Sequence, residues 1–143
     1  SATGSNVGGF IGEIVAGTVL IEDSYNAAKV TNTEATSPDK VGGICGKVAE
    51  GASFTITRCY VSASVTLTKS TSDAAVADAI LASGSAVVTD TYFDKAAKKT
   101  STGAIKFTSD AWPTWPVGAA WGSIGAYGEG GTTIVYPKLS WEQ

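Results

Sequence analysis

One pattern of residues occurs twice in this chain and constrains its fold more than any other feature. Val7-Gly8-Gly9-Phe10-Ile11-Gly12, followed by Ser24-Tyr25-Asn26-Ala27-Ala28-Lys29-Val30, returns as Val41-Gly42-Gly43-Ile44-Cys45-Gly46 and Cys59-Tyr60-Val61-Ser62-Ala63-Ser64-Val65. The offset is 34 residues from Val7 to Val41 and 35 from Tyr25 to Tyr60. Self-similarity at a period of roughly 20–50 residues marks solenoids and related arrays, whose units bury their apolar faces only by stacking on one another. A weaker third copy follows: Ala79-Ile80-Leu81 stands 36 residues after Gly43-Ile44-Cys45, and Val87–Phe93 matches the stretch from Ile56 to Val61, with Tyr92 32 residues after Tyr60. Its glycines are gone, as expected of a terminal repeat.

Gly, Thr, Ser and Val are abundant and helix formers scarce, so strands and turns are favoured. With 43% hydrophobic and 16% charged residues, disorder is excluded. Each copy reads as a Val-Gly-Gly strand, continuing through Glu13–Leu20 or Lys47–Ile56, and then a Tyr-containing strand. The Gly pairs mark tight corners or close backbone approach, both of which coils stacked at about 4.8 Å require. Polar connectors at Asn32–Lys40 and Lys69–Asp73 read as exposed loops. After Lys95 the character changes: Thr100–Asp110 is polar, with a short helical turn expected near Ser109-Asp110. An aromatic tail carrying Trp112, Trp115, Trp121, Tyr127, Tyr136 and Trp141 follows. The expectation is an all-β single domain over 1–143, a solenoid of about three coils (7–40, 41–75 and 76–99). An aromatic C-terminal cap over 100–143 would cover its open end. Ser1 opens the chain with neither Met nor a signal-like segment, and the first repeat begins almost at once, which favours a piece of a longer protein.

The chemistry is defined by what is missing. There is no histidine, which removes Ser-His-Asp and Cys-His catalysis, His-containing zinc sites and any imidazole base. Gly42…Gly46-Lys47 is a poor phosphate loop, because Val48 stands where Ser or Thr would hold magnesium. Glu22 with Asp23, Asp73 with Asp78, and Asp90 with Asp94 lack the setting of a glycosidase pair, and no calcium-loop spacing gathers Asp39, Asp73, Asp90 and Asp94. Thr55-x-Thr57 and Thr66-x-Thr68 read as solvent-facing strand residues. No catalytic residue, metal site or cofactor is therefore assigned, and the chain is read as no enzyme. A net charge of −3 and a pI near 4.8 argue against nucleic acid. Lys95, Lys98 and Lys99, the one basic cluster, fit a solvated turn better than an anion site. The apolar stretch from Gly9 to Ile21 holds Glu13 and is too short to span a bilayer, so no membrane insertion is expected within the chain. Cys45 and Cys59 are open between two buried thiols and a disulfide. Trp112, Trp115, Trp121 and Tyr127 either stack on sugar rings as an exposed platform or lie buried in the cap.

The repeats resemble the bacterial GLUG repeat, a Val-Gly-Gly-Leu-Val-Gly strand followed by an Asn-Cys-Tyr or Ser-Tyr strand. Trp115…Trp121-Gly122-Ser123-Ile124…Tyr136-Pro137-Lys138-Leu139-Ser140-Trp141 is similar to the ending that commonly follows such repeats. Cys45 at a usually aliphatic position and the missing glycines of the third copy depart from that pattern. The resemblance implies a right-handed parallel β-helix-like solenoid in a secreted or surface-anchored bacterial protein, with no catalytic residues to transfer. The expected function is a non-catalytic structural or adhesive module at the cell surface, joined end to end with other modules or copies through the uncapped face of its first coil. The alternative is a carbohydrate-binding module using the C-terminal aromatics, with glycans as partners.

Overall fold

The computed structural model describes residues 6–32, 40–62, 67–68, 76–97, 101, 103–128 and 134–142, and in these the chain is all-β. The connectors at 33–39 and 69–75 lie outside the described residues, as do Thr66, Lys98 and Lys99. Corners at Gly17, Gly51 and Gly84 and at Asp23, Arg58 and Asp90 help cut the repeats into strands of two to five residues. The first copy gives β1 (Asn6–Gly8), β2 (Ile11–Ile14), β3 (Thr18–Glu22), β4 (Tyr25–Asn26) and β5 (Val30–Thr31). The second gives β6 (Lys40–Gly42), β7 (Cys45–Val48), β8 (Ser53–Thr57), β9 (Tyr60–Val61) and β10 (Leu67–Thr68). The third gives β11 (Val76–Asp78), β12 (Leu81–Ser83), β13 (Val87–Thr89) and β14 (Tyr92–Phe93).

Equivalent strands of successive copies pair in parallel, so the sequence repeat is a spatial register. Val7 lies opposite Val41 and Val41 opposite Ala77. Ile11, Cys45 and Leu81 form a second row, and Tyr25, Tyr60 and Tyr92 another. The corners absorb the drift in the period. Three residues, Val15–Gly17, join β2 to β3, whereas four, Ala49–Ala52, join β7 to β8, and the offset rises from 34 to 35.

Alternation then sorts the side chains. In β8, Phe54 and Ile56 are buried between the more open Ser53, Thr55 and Thr57. Rows such as Val7 and Val41, Ile44 and Ile80, Ile14 and Val48, and Val61 and Phe93 make one continuous core. The Gly pairs allow close backbone approach, as the sequence predicts. A Cβ built on Gly43 would sit 2.0 Å from the Ala79 carbonyl oxygen, and one on Gly9 would sit 2.2 Å from that of Gly43.

The first part of the expected cap lies on the third copy, with Ser101 bonded to Asp78 and Ala104 packed against the core, and the rest of the tail takes another path. The parallel arrangement first continues one strand further, with β15 (Ile105–Lys106) beside β14. Ser109-Asp110 forms a tight turn closed by an antiparallel bridge between Thr108 and Ala111, not a helical turn. Two antiparallel pairs follow: β16 (Trp121–Ser123) with β19 (Lys138–Leu139), and β17 (Ala126–Tyr127) with β18 (Ile134–Val135). A 3-10 turn, η1 (Ser140–Glu142), comes last. This tail runs back along the flank of the repeats and reaches residues of all three copies, from Asp90 and Asp94 to Asp23 and Tyr25.

Candidate functional site

The tyrosine row explains where the tail goes. Asn26 and Val61 are buried, and Val61 and Phe93 join the core; alternation turns the preceding Tyr25, Tyr60 and Tyr92 outward. Three outward aromatic rings on one flank are an apolar surface that water does not favour, and the tail covers it. Tyr25 and Tyr60 stack at 4.8 Å with planes 4° apart, and Tyr136 of the tail stacks on Tyr60 at 5.5 Å and 6°. Phe107 lies against Tyr92 at 5.2 Å, and Trp115 against Trp121 at 4.5 Å.

The polar tips of Tyr25, Tyr60, Trp115, Trp121 and Tyr136 in this cluster are bonded, as buried amphipathic rings require. The Tyr60 hydroxyl donates to the Pro137 carbonyl at 2.9 Å, and the Trp115 Nε1–H to the Asp90 carbonyl at 3.0 Å. The Trp121 Nε1–H donates to Asp23 Oδ1 at 2.9 Å, and the Tyr136 hydroxyl to Asp94 Oδ2 at 2.8 Å. The Tyr25 hydroxyl donates to Glu142. Burial pushes the Tyr60 hydroxyl well above the ordinary phenol range, so it stays a donor.

The four aromatics singled out from the sequence are thus brought to one cluster, but as its filling. Trp121 is 1% exposed and Trp115 5%. Trp112 packs on Phe107 and Tyr127, and its Nε1–H donates to the Ile124 carbonyl at 3.1 Å. An open platform of these four rings is not formed. The indole that faces solvent is Trp141, 75% exposed on η1.

One polar element has no counterpart among the sequence expectations. Asp23, Arg58 and Asp90 hold the equivalent corner before each tyrosine strand, and all three adopt positive φ, at 47°, 48° and 45°. L-residues enter this region at a cost, so something must hold Arg58 there. Its guanidinium makes a fork to Asp23, with Nε to Oδ1 and Nη2 to Oδ2 both at 2.7 Å. Arg58 beside Asp23 keeps that carboxyl below its ordinary range, helped by the Trp121 bond. The available signal was positional: aligning the repeats puts a polar residue two places before each tyrosine.

Cys45 and Cys59 are both buried and free, so the bridge left open by the sequence is not made. Burial pushes their thiols up to about 11 and about 12, which leaves no thiolate at neutral pH to act as nucleophile. Of the carboxylate pairs, Asp94 is occupied by Tyr136 and the Ala96 amide, Asp23 by Arg58 and Trp121, and Asp73 lies outside the described residues. No cluster of three metal-ligating side chains gathers among the described residues, and no helix there is long and apolar enough to cross a membrane.

The two ends of the stack differ. Among the described residues, β1 to β4 have a partner on one side only, as do β11 to β13, whereas β14 carries β15 on its far side. Phe10, beside the first Gly pair, is 49% exposed. No family model, curated protein or solved structure matches this chain.

Proposed function

We propose that the parallel strands form a right-handed β-solenoid of the GLUG-repeat type, here three coils long. It would serve as a non-catalytic structural and adhesive module of a secreted or cell-surface bacterial protein. Further repeats, or other modules with the same strand spacing, join it through β1 to β4 of the first coil.

The observation that carries this reading is the asymmetry of the ends. Gly9 and Gly43 are glycines because the carbonyl of the following coil sits where a Cβ would be. The third coil has Ala79 at that position, and β15 already occupies the far side of β14. A fourth coil on that side would meet both, so the array stops there. The opposite side presents four strands with unpaired edges among the described residues, at the spacing a preceding coil needs. A sugar platform of Trp112, Trp115, Trp121 and Tyr127 is disfavoured because Trp115 and Trp121 are interior.

A chimera with one more repeat, patterned on residues 41–75, placed before Asn6 tests the stacking. The expected result is a single unfolding transition at higher temperature, since each neighbour interface adds stability in a repeat array. An added repeat that stays unfolded, with Tm unchanged or lower, argues against it. Protease treatment of intact source cells tests location: release of the chain from the surface is expected, and protection until lysis would overturn that part.

A further inference from the structure

The charges of the three copies alternate in sign. Among the described residues, Glu13, Glu22 and Asp23 outnumber Lys29 in the first copy, and Lys40, Lys47 and Arg58 outnumber Glu50 in the second. Asp78, Asp90 and Asp94 outnumber Lys95 in the third. The register turns this alternation into contacts. Glu13 lies opposite Lys47, and the two pair at 2.8 Å. Arg58 forks onto Asp23 at 2.7 Å and reaches Glu22 at 3.5 Å. Lys47 and Arg58 of the second copy thus both reach back to carboxylates of the first. Neighbouring strands stand about 4.8 Å apart, so side chains of one row are close enough for opposite charges to stabilise the pairing and like charges to oppose it.

The other side of the first copy is open. Among the described residues, β1 to β4 have no partner there. Val7, Gly8, Gly9, Asn26, Val30 and Thr31, all of the first copy, line a hollow of about 250 Å³, and Thr31 Oγ1 is buried without a hydrogen-bond partner among the described residues. The side chains of Glu13 and Glu22 are 30% and 53% exposed, so a further cation can approach them. A second copy of this chain brings the wrong charge to this face. Stacked through its third repeat, it would set Asp90 in the row of Asp23. Stacked through its first, it would set acid against acid. Its third repeat is also overlain already by Ser101, Ala104 and β15.

We propose that the open face of the first copy selects a basic coil and rejects a second copy of this chain. The partner is a parallel-stacked repeat, of the same protein or another, with lysine or arginine in the rows of Glu13 and Asp23. This rests on the stacking reading and adds to it a rule of charge.

Three chimeras test the rule, each with one added repeat before Asn6 copied from residues 41–75. The first keeps that sequence. The second carries Lys47→Gln and Arg58→Gln, and the third Lys47→Glu and Arg58→Glu, in the added copy alone, so the natural chain is untouched. Tm is expected to fall in that order, by about 4 °C or more from first to last. The spread should shrink in about 1 M salt, where screening acts within about 3 Å. Equal or reversed Tm values among chimeras that are all more stable than the natural chain overturn the charge rule and leave stacking intact, as does a spread that salt does not reduce. No gain in any of the three counts against stacking itself, and the rule falls with it. Rejection of a second copy is read from the unmodified chain: hydrogen exchange in β1 to β4 should be the same from micromolar to millimolar concentration, and protection that rises with concentration would overturn it.

Discussion

One methyl group separates Gly43 from Ala79, and the stack treats the two equivalent positions differently. The Cβ of Gly43→Ala would be forced to within 2.0 Å of a backbone oxygen that the parallel ladder holds in place. Overpacking against backbone has no rotamer to relieve it, so this change is expected to cost about 3 kcal/mol or more. Ala79→Gly removes one buried methyl and gains chain entropy on unfolding, for about 1 kcal/mol. Urea unfolding with equal slopes separates the two; similar losses would show that the carbonyl contact is not the constraint. The Asp23–Arg58 fork makes a pH prediction of definite sign. Arg58 lowers the Asp23 pKa in the folded chain, so the stabilisation is complete at neutral pH and is lost as pH falls through the depressed native value. Asp23→Asn should therefore flatten the acid limb of the stability curve, and an unchanged acid limb would sink this account. The thiols predict a third outcome. With both raised by burial, labelling of Cys45 and Cys59 at neutral pH should proceed at the rate of unfolding, and fast labelling of native chain would contradict their placement.

At the scale of the element, the tail acts as a strap along the tyrosine row. Tyr60 sits at its centre, stacked between Tyr25 and Tyr136 and edge-on to Phe107. Tyr60→Phe loses only the bond to Pro137, for about 1 kcal/mol, whereas Tyr60→Ala empties the stack and should cost about 3–5 kcal/mol. Thermal melts of the two variants test this, and equal losses would mean that the hydroxyl, not the ring, holds the tail. The repeats were legible in the sequence because recurrence is itself a register: the matching of Val7 with Val41, or of Tyr60 with Tyr92, states which residues pair. The loss of glycine in the third copy was visible too, but the reason for glycine in the first two, a backbone oxygen of the next copy where a Cβ would sit, needs the neighbouring copies. The tail was not legible in the same way. Trp112, Trp115 and Trp121 announce a buried apolar cluster, but without a period nothing in them says whether it closes the end or lies along the flank. The two-residue strand Ile105–Lys106 is set by the edge of β14, not by its own pattern. Asp23 and Arg58 carry no motif apart from their place in the repeat.

For the whole molecule, the strap changes what a repeat protein is expected to do. Copies that touch only their neighbours unfold by fraying from the ends, with terminal units opening first. Here the first copy is tied to residues about a hundred positions away: Asp23 to Trp121, across 98 residues, and Tyr25 to Glu142, across 117. The third copy is tied to the same tail through Asp90 with Trp115 and Asp94 with Tyr136. Opening the first copy therefore breaks contacts that also hold the third. The chain should unfold as one cooperative unit, with amides of β1 to β4 nearly as protected from hydrogen exchange as those of β6 to β9. Cutting the two ties should restore repeat-like behaviour. In a Trp121→Phe, Glu142→Gln double variant, the ring packing of the tail is largely kept while both long-range bonds are lost or weakened. Exchange in β1 to β4 should then accelerate well before that in β6 to β9, and the melt should broaden. If the wild-type chain already frays from β1, or if the double variant loses protection uniformly, the tail is only a cover for the tyrosines and not the brace that couples the first copy to the last.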